Sequence, residues 1–221
     1  LISARPLLAG GDAEGLRRLT EAIAPVAAQE EMRWQLIAIA ITYWYTASLQ
    51  YQGGLLIPKL LAAKAQALAE GNPVATLRIM RLLTLAYWYD CHFHKLHAEA
   101  LAALALTEQN GTQTVAVGYL QYGLGCVYYG WNRIDEALAA MQKVVEIAQL
   151  WQQADLLILG SGFLVFPLLA RGDYQQAQQA LQRASALLTQ ERFATHTSWI
   201  MAAQAEYWLA TGNLTAAQTW A

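Results

Sequence analysis

One feature restricts this chain more than any other: small residues recur on one helical face with a period close to forty. Ala98, Ala102 and Ala105 stand at i, i+4 and i+7, offsets that share one side of an α-helix. The same offsets return at Ala137, Met141 and Val144, at Ala177, Leu181 and Ala184, and begin again at Ala217 and Ala221. The steps from 98 to 137, 177 and 217 are 39, 40 and 40 residues. Stepping back from Ala98 reaches Pro58, with Ala62 and Ala65 after it, and a fainter first copy lies at Gly15, Leu19 and Ala22.

Each unit carries its own punctuation. Five residues before the key small residue comes a helix stop and restart, at Asn132, at Gly172-Asp173 and at Gly212-Asn213. Glycine closes a helix in the left-handed conformation, and a following Asp or Asn caps the next. Further breaks fall at Gly71-Asn72-Pro73, Gln109-Asn110-Gly111, Gln152 to Asp155 and Thr189 to Arg192. A unit is therefore a helix A, a tight turn and a helix B, with the small triad where the two pack closely. No stretch alternates with period two, so no sheet is expected. The predicted fold is all-α: a single solenoid of antiparallel helix pairs over residues 1–221, winding into a superhelix.

Composition agrees and removes several functions. Ala and Leu make up about a third of the 221 residues, and both are strong helix formers. A hydrophobic share of 56% excludes a disordered chain. Fourteen basic residues are scattered among sixteen acids, which gives no patch for nucleic acid. The longest uncharged run, Leu156 to Ala170, is broken by Gly160-Ser161-Gly162 and Pro167 and is too short to span a membrane. Cys91 and Cys126 are too few for a disulfide scaffold and fit a reducing cytoplasm. A start without Met and an end at Thr219-Trp220-Ala221 lead to the expectation of a fragment of a larger protein, whose cut last repeat would associate weakly end to end.

No constellation for chemistry stands out. Asp90-Cys91-His92-Phe93-His94-Lys95-Leu96-His97 holds zinc-type donors, but it straddles an A–B turn that sends them apart, so it reads as a polar turn without metal. Ser161 lies in no G-x-S-x-G elbow, and Gly123-Leu124-Gly125 follows no strand that would make it a dinucleotide loop. The Gly-Ser-Gly stretch instead lets helices approach closely. Glu30-Glu31 and Asp135-Glu136 read as solvated charges, the latter pair well placed at a helix N-terminus, and His196 reads as an isolated loop residue. The expectation is a non-enzyme without cofactor or metal.

Within 118–146, Leu124-Gly125, Tyr128, Ala137 and Val144 fall where the tetratricopeptide motif places them, although that motif repeats every 34 residues and closes helix B with a Pro absent here. The longer period, with the segments Tyr119 to Ala137, Leu169 to Leu181 and Ala205 to Ala221, resembles the helical sensor domain of MalT-like, LuxR-type ATP-dependent transcriptional regulators. The resemblance implies an ATPase switch before the sensor and a helix-turn-helix after it in the whole regulator. This sequence has neither a G-x-x-x-x-G-K-[ST] loop nor a basic recognition helix.

In such a superhelix helix A lines the concave groove, at 18, 15, 11 and 8 residues before the key Ala. Counting back from Ala137 gives Tyr119, Tyr122, Cys126 and Tyr129; from Ala177, Leu159, Gly162, Phe166 and Leu169. From Ala217 come Trp199, Ala202, Glu206 and Leu209, and from Ala98, Met80, Leu83, Tyr87 and Asp90. The candidate ligand-binding set is therefore Tyr87, Asp90, Tyr119, Tyr122, Tyr129, Phe166, Trp199 and Glu206. Rings with polar handles suit sugars, peptides or amphipathic ligands, and the same rings also suit packing between repeats. The partner expected is a small-molecule inducer or a regulatory protein or peptide in the groove, with no nucleic acid and no membrane. The competing expectations are a plain protein-interaction scaffold and a helical enzyme built on the Cys–His cluster.

Overall fold

The computed structural model describes residues 53–111, 114–188 and 196–220, together with 15, 18, 19, 21 and 22. The expected acidic pair Glu30-Glu31 and the turn from Thr189 to Arg192 lie outside the described residues. Gly15, Leu19 and Ala22 are helical. The described helices are α1 (Gly53–Ala69), α2 (Pro73–Tyr89), α3 (Phe93–Asn110), α4 (Val115–Gly130), α5 (Ile134–Leu150), α6 (Ala154–Ala170), α7 (Tyr174–Leu188), α8 (Thr197–Ala210) and α9 (Leu214–Trp220). Among the described residues there is no strand, and no helix is long and apolar enough to cross a membrane.

The turns repeat twice as often as the helix pairs. Gly71, Cys91, Gly111, Asn132, Gln152, Gly172 and Gly212 all have positive φ, between 51° and 79°, at intervals of about twenty residues or a multiple of it. In six of these turns the next residue donates its N–H to the carbonyl five positions back: Asn72 to Ala67, His92 to Tyr87, Arg133 to Tyr128, Gln153 to Ala148, Asp173 to Leu168 and Asn213 to Trp208, at 2.8–3.0 Å. That bond is the Schellman closure, which satisfies helix-end carbonyls and reverses the chain. The restart is helped by side-chain caps, Asn72 Oδ1 accepting from the Ala75 N–H and Thr114 Oγ1 from that of Ala116. Asp135 and Glu136 occupy the first turn of α5, where the helix dipole favours them.

The chain falls into two compact units divided after residue 112, so that α1–α3 belong to the first and α4–α9 to the second. In the first, α2 packs against both α1 and α3. Lys64 of α1 is tied to Glu99 of α3 by contacts of 2.7 and 2.9 Å that are largely shielded from solvent. In the second, each helix packs on the next, and the A helices α4, α6 and α8 also touch side by side while α5 and α7 do not. Glycines permit this: a Cβ on Gly118 of α4 would come within 2.5 Å of Leu156 of α6, and one on Gly162 of α6 would collide with Ile200 of α8.

The key residue of helix B is the fourth of its helix. In the second unit the sequence register holds: Ala137, Met141 and Val144 and then Ala177, Leu181 and Ala184 are all buried, as is Ala217. In the first unit it is displaced by two residues. Pro58, Ala62, Ala65, Ala98, Ala102 and Ala105 are exposed. The buried rungs are Leu56, Leu60 and Ala63 in α1 and Leu96, Ala100 and Ala103 in α3. The true steps are thus 40, 41, 40 and 40, from 56 through 96, 137 and 177 to 217.

Ser161 of α6 is fully buried and its hydroxyl has no hydrogen-bond partner. Leaving a buried hydroxyl unpaired costs about 1–3 kcal/mol. Ser161→Ala is therefore expected to stabilise the chain by about 1 kcal/mol, read as a higher midpoint in urea unfolding; a lower midpoint would show that the hydroxyl is satisfied.

Candidate functional site

The A helices of the second unit present their aromatic side chains together. Tyr122 and Tyr129 of α4 stand two turns apart on one face, and α6 brings Phe163 and Phe166 against them. Phe163 meets Tyr122 edge-on at 5.8 Å between ring centroids and Tyr129 at 6.0 Å; Phe166 lies 6.0 Å from Tyr129 and 5.3 Å from Phe163. All four rings are only partly covered. Tyr122, Phe163, Phe166, Ile158, Trp199 and Ile200, together with Leu159, Gly162 and His196, line an open depression of about 260 Å³ counted out into solvent. Trp199 is 51% exposed.

The polar groups are few. Tyr119 donates its hydroxyl to the Asp155 carboxylate and so joins α4 to the first turn of α6. Cys126 is buried one turn from Tyr122; burial pushes its thiol well above the usual range, and the hydrogen bond with Tyr122 offsets part of that rise. Tyr129 is also raised, first by burial and then by the negative charge of Glu206 on α8. Glu206 itself is exposed.

His196 is half-buried, and burial lowers its pKa while Asp155 opposes the shift. An unfolded chain then takes up this proton before the folded one does. His196 is expected to cost no stability above pH about 6.5 and to lower stability as pH falls below that. Melting curves at about pH 7.5 and 5.5 check this: His196→Asn should show a smaller acid-induced drop than the parent, and an equal drop would assign the effect to other groups.

Of the candidate residues, Tyr119, Tyr122, Tyr129, Phe166, Trp199 and Glu206 lie on the A helices of the second unit. Tyr87 and Asp90 belong to the first unit and owed their place to the displaced register. Tyr87 is 6% exposed and turned toward α3, with its ring edge-on to His92 at 6.3 Å and Lys95 over it at 6.0 Å; burial and then Glu99 raise its pKa. Asp90 is the C-cap of α2. Counting back from Leu96 puts Arg78, Arg81, Leu85 and Trp88 at the equivalent positions.

Four residues of the depression, Ile158, Phe163, His196 and Ile200, lie outside the counted positions. Phe163 falls between the counted steps, though it is i+4 from Leu159 and i−3 from Phe166 and so shares their stripe. His196 is the N-cap of α8, one residue before the helix that the counting covered. In the Cys–His segment, Cys91 is exposed in the turn, and His92 and His94 are exposed at the start of α3. No three of His, Cys, Asp or Glu come together as metal ligands among the described residues.

A family model described as the MalT-like TPR region matches residues 36–221, so this chain belongs to the MalT-like TPR region family.

Proposed function

We propose that this chain is the sensing module of a MalT-like transcriptional regulator, and that an effector binds on the A-helix face of its second unit. The observation that carries the proposal is the set of rings from α4, α6 and α8, Tyr122, Tyr129, Phe163, Phe166 and Trp199, left partly open to solvent. A helix pair that needed these rings only for packing would cover them, because each ring is a large apolar area removed from water. Glu206, His196 and the Tyr119–Asp155 pair supply the polar contacts. The module acts by binding and not by catalysis: an effector that prefers one state of the regulator shifts it toward that state by the ratio of its affinities.

The test is a fluorescence titration of the chain with oligosaccharides and with short peptides. Trp199→Phe identifies the part of the signal that comes from the face. Tyr122→Ala and Trp199→Ala are expected to weaken the binding of whichever compound responds while leaving the melting temperature nearly unchanged. If these variants lose as much stability as one overpacked at Ala137, the rings are core and the proposal falls.

A further inference from the structure

We infer that the occupant of this face is a polypeptide segment that places one apolar side chain in the depression and a basic side chain beside Glu206. The inference rests on the reading of the A-helix face as the effector site and goes on to specify the occupant's chemistry.

Size and lining come first. The depression is about 260 Å³ only when counted out into open solvent, so its enclosed part is far smaller, a seat for part of one side chain and not for a buried small molecule. The lining is mostly hydrocarbon and aromatic carbon, and its polar side-chain groups belong to Tyr122, His196 and the indole N–H of Trp199. A sugar would bring many hydroxyls to a wall that offers few partners, and each one left unpaired would cost affinity. An apolar side chain brings none.

Charge comes second. α4, α6 and α8 contain no Lys or Arg, and their ionisable carboxylates are Asp155 and Glu206. The described basic residues of the second unit lie elsewhere: Arg133 and Arg171 in turns, Lys143 on α5 and Arg183 on α7. Arg133, Lys143 and Arg171 are paired there with Glu136, Glu146 and Asp135. Among the described residues the face is therefore acidic and aromatic at once. Aromatic faces and a carboxylate together suit a guanidinium or ammonium group.

Spacing comes third. Trp199 and Glu206 are seven residues apart, two turns of α8 on one face, hence about 10 Å apart along the axis. An extended peptide covers that distance in about three residues, and a helical one at i and i+7. Phe163 and Phe166 line the depression with Trp199, and both contact Tyr129, which feels the charge of Glu206.

The probe is a displayed library of random peptides, panned on the chain and counter-selected on Trp199→Ala. Enriched peptides should carry Leu, Phe or Trp with Arg or Lys at the spacing given above. A synthetic peptide of the enriched sequence should bind Glu206→Gln about tenfold more weakly than the parent, and added salt should weaken the parent more than the variant. Melting temperatures should be unchanged, since Glu206 is exposed. Enrichment without basic residues, or equal binding to Glu206→Gln, overturns the inference. If neutral oligosaccharides bind, Tyr122→Ala weakens them and no peptide is enriched, the peptide inference falls and the effector-face reading stands. If enriched peptides bind Tyr122→Ala as tightly as the parent, both fall.

Discussion

Ala137→Phe is expected to cost the second unit about 1–3 kcal/mol of stability, seen in urea unfolding as a lower midpoint with an unchanged slope. Ala137 is fully buried at the fourth position of α5, where its N–H continues the helix from the Arg133 carbonyl. The next rung, Met141, already fills the space opposite Gly125 of α4, so that a Cβ there would come within 2.5 Å of its terminal methyl. A benzyl group at 137 has to push α4 and α5 apart or leave its preferred rotamer, and either route is destabilising. The equivalent change at Ala98, which is exposed, is expected to fall within about 0.5 kcal/mol of zero. A large loss at both positions would contradict the two-residue displacement of register in the first unit.

Gly160→Ala should also destabilise, by about 1–3 kcal/mol, although alanine is the better helix former by about 1 kcal/mol. A Cβ at position 160 would lie 2.6 Å from Val144 Cγ1 and 3.2 Å from Val144 Cβ. Valine is held to few rotamers and its Cβ cannot move without the backbone of α5, so the clash is not relieved by turning a flexible end. Gly130, the last residue of α4, has nothing within 4 Å of its would-be Cβ. Gly130→Ala should therefore stabilise by about 0.4–1 kcal/mol. Opposite signs for the two substitutions in thermal unfolding support the close α5–α6 approach, and equal signs refute it.

The helix count per repeat and the absence of sheet in the described residues were legible because helix ends are marked by residue types with a steric reason to be there. Gly71, Gly111, Gly172 and Gly212 adopt a conformation that other residues avoid, and Asn132 tolerates it. Register was legible only where the rung is built from small side chains. Ala137 and Ala177 identify it; Leu56 and Leu96 hide it, because in the first unit a bulky residue fills the same position and smaller neighbours such as Ala98 stand on the wet side. Tyr87 entered the count for that reason, and Trp88 stands at the position equivalent to Tyr129. Phe163 was missed because a fixed count follows one line along a helix, whereas the exposed stripe is wider than a line. His196 was missed because it caps a helix instead of lying within it.

The two cysteines differ in a way that turns the molecule into its own gauge. Cys91 is exposed in a turn, while Cys126 is buried beside Tyr122 with a thiol that resists ionisation. Only thiolates alkylate readily. A maleimide at neutral pH therefore marks one address first, and the second label is added only when α4 opens. The interval between the two mass increments times that opening in the unaltered chain, without a dye, a tag or a substitution.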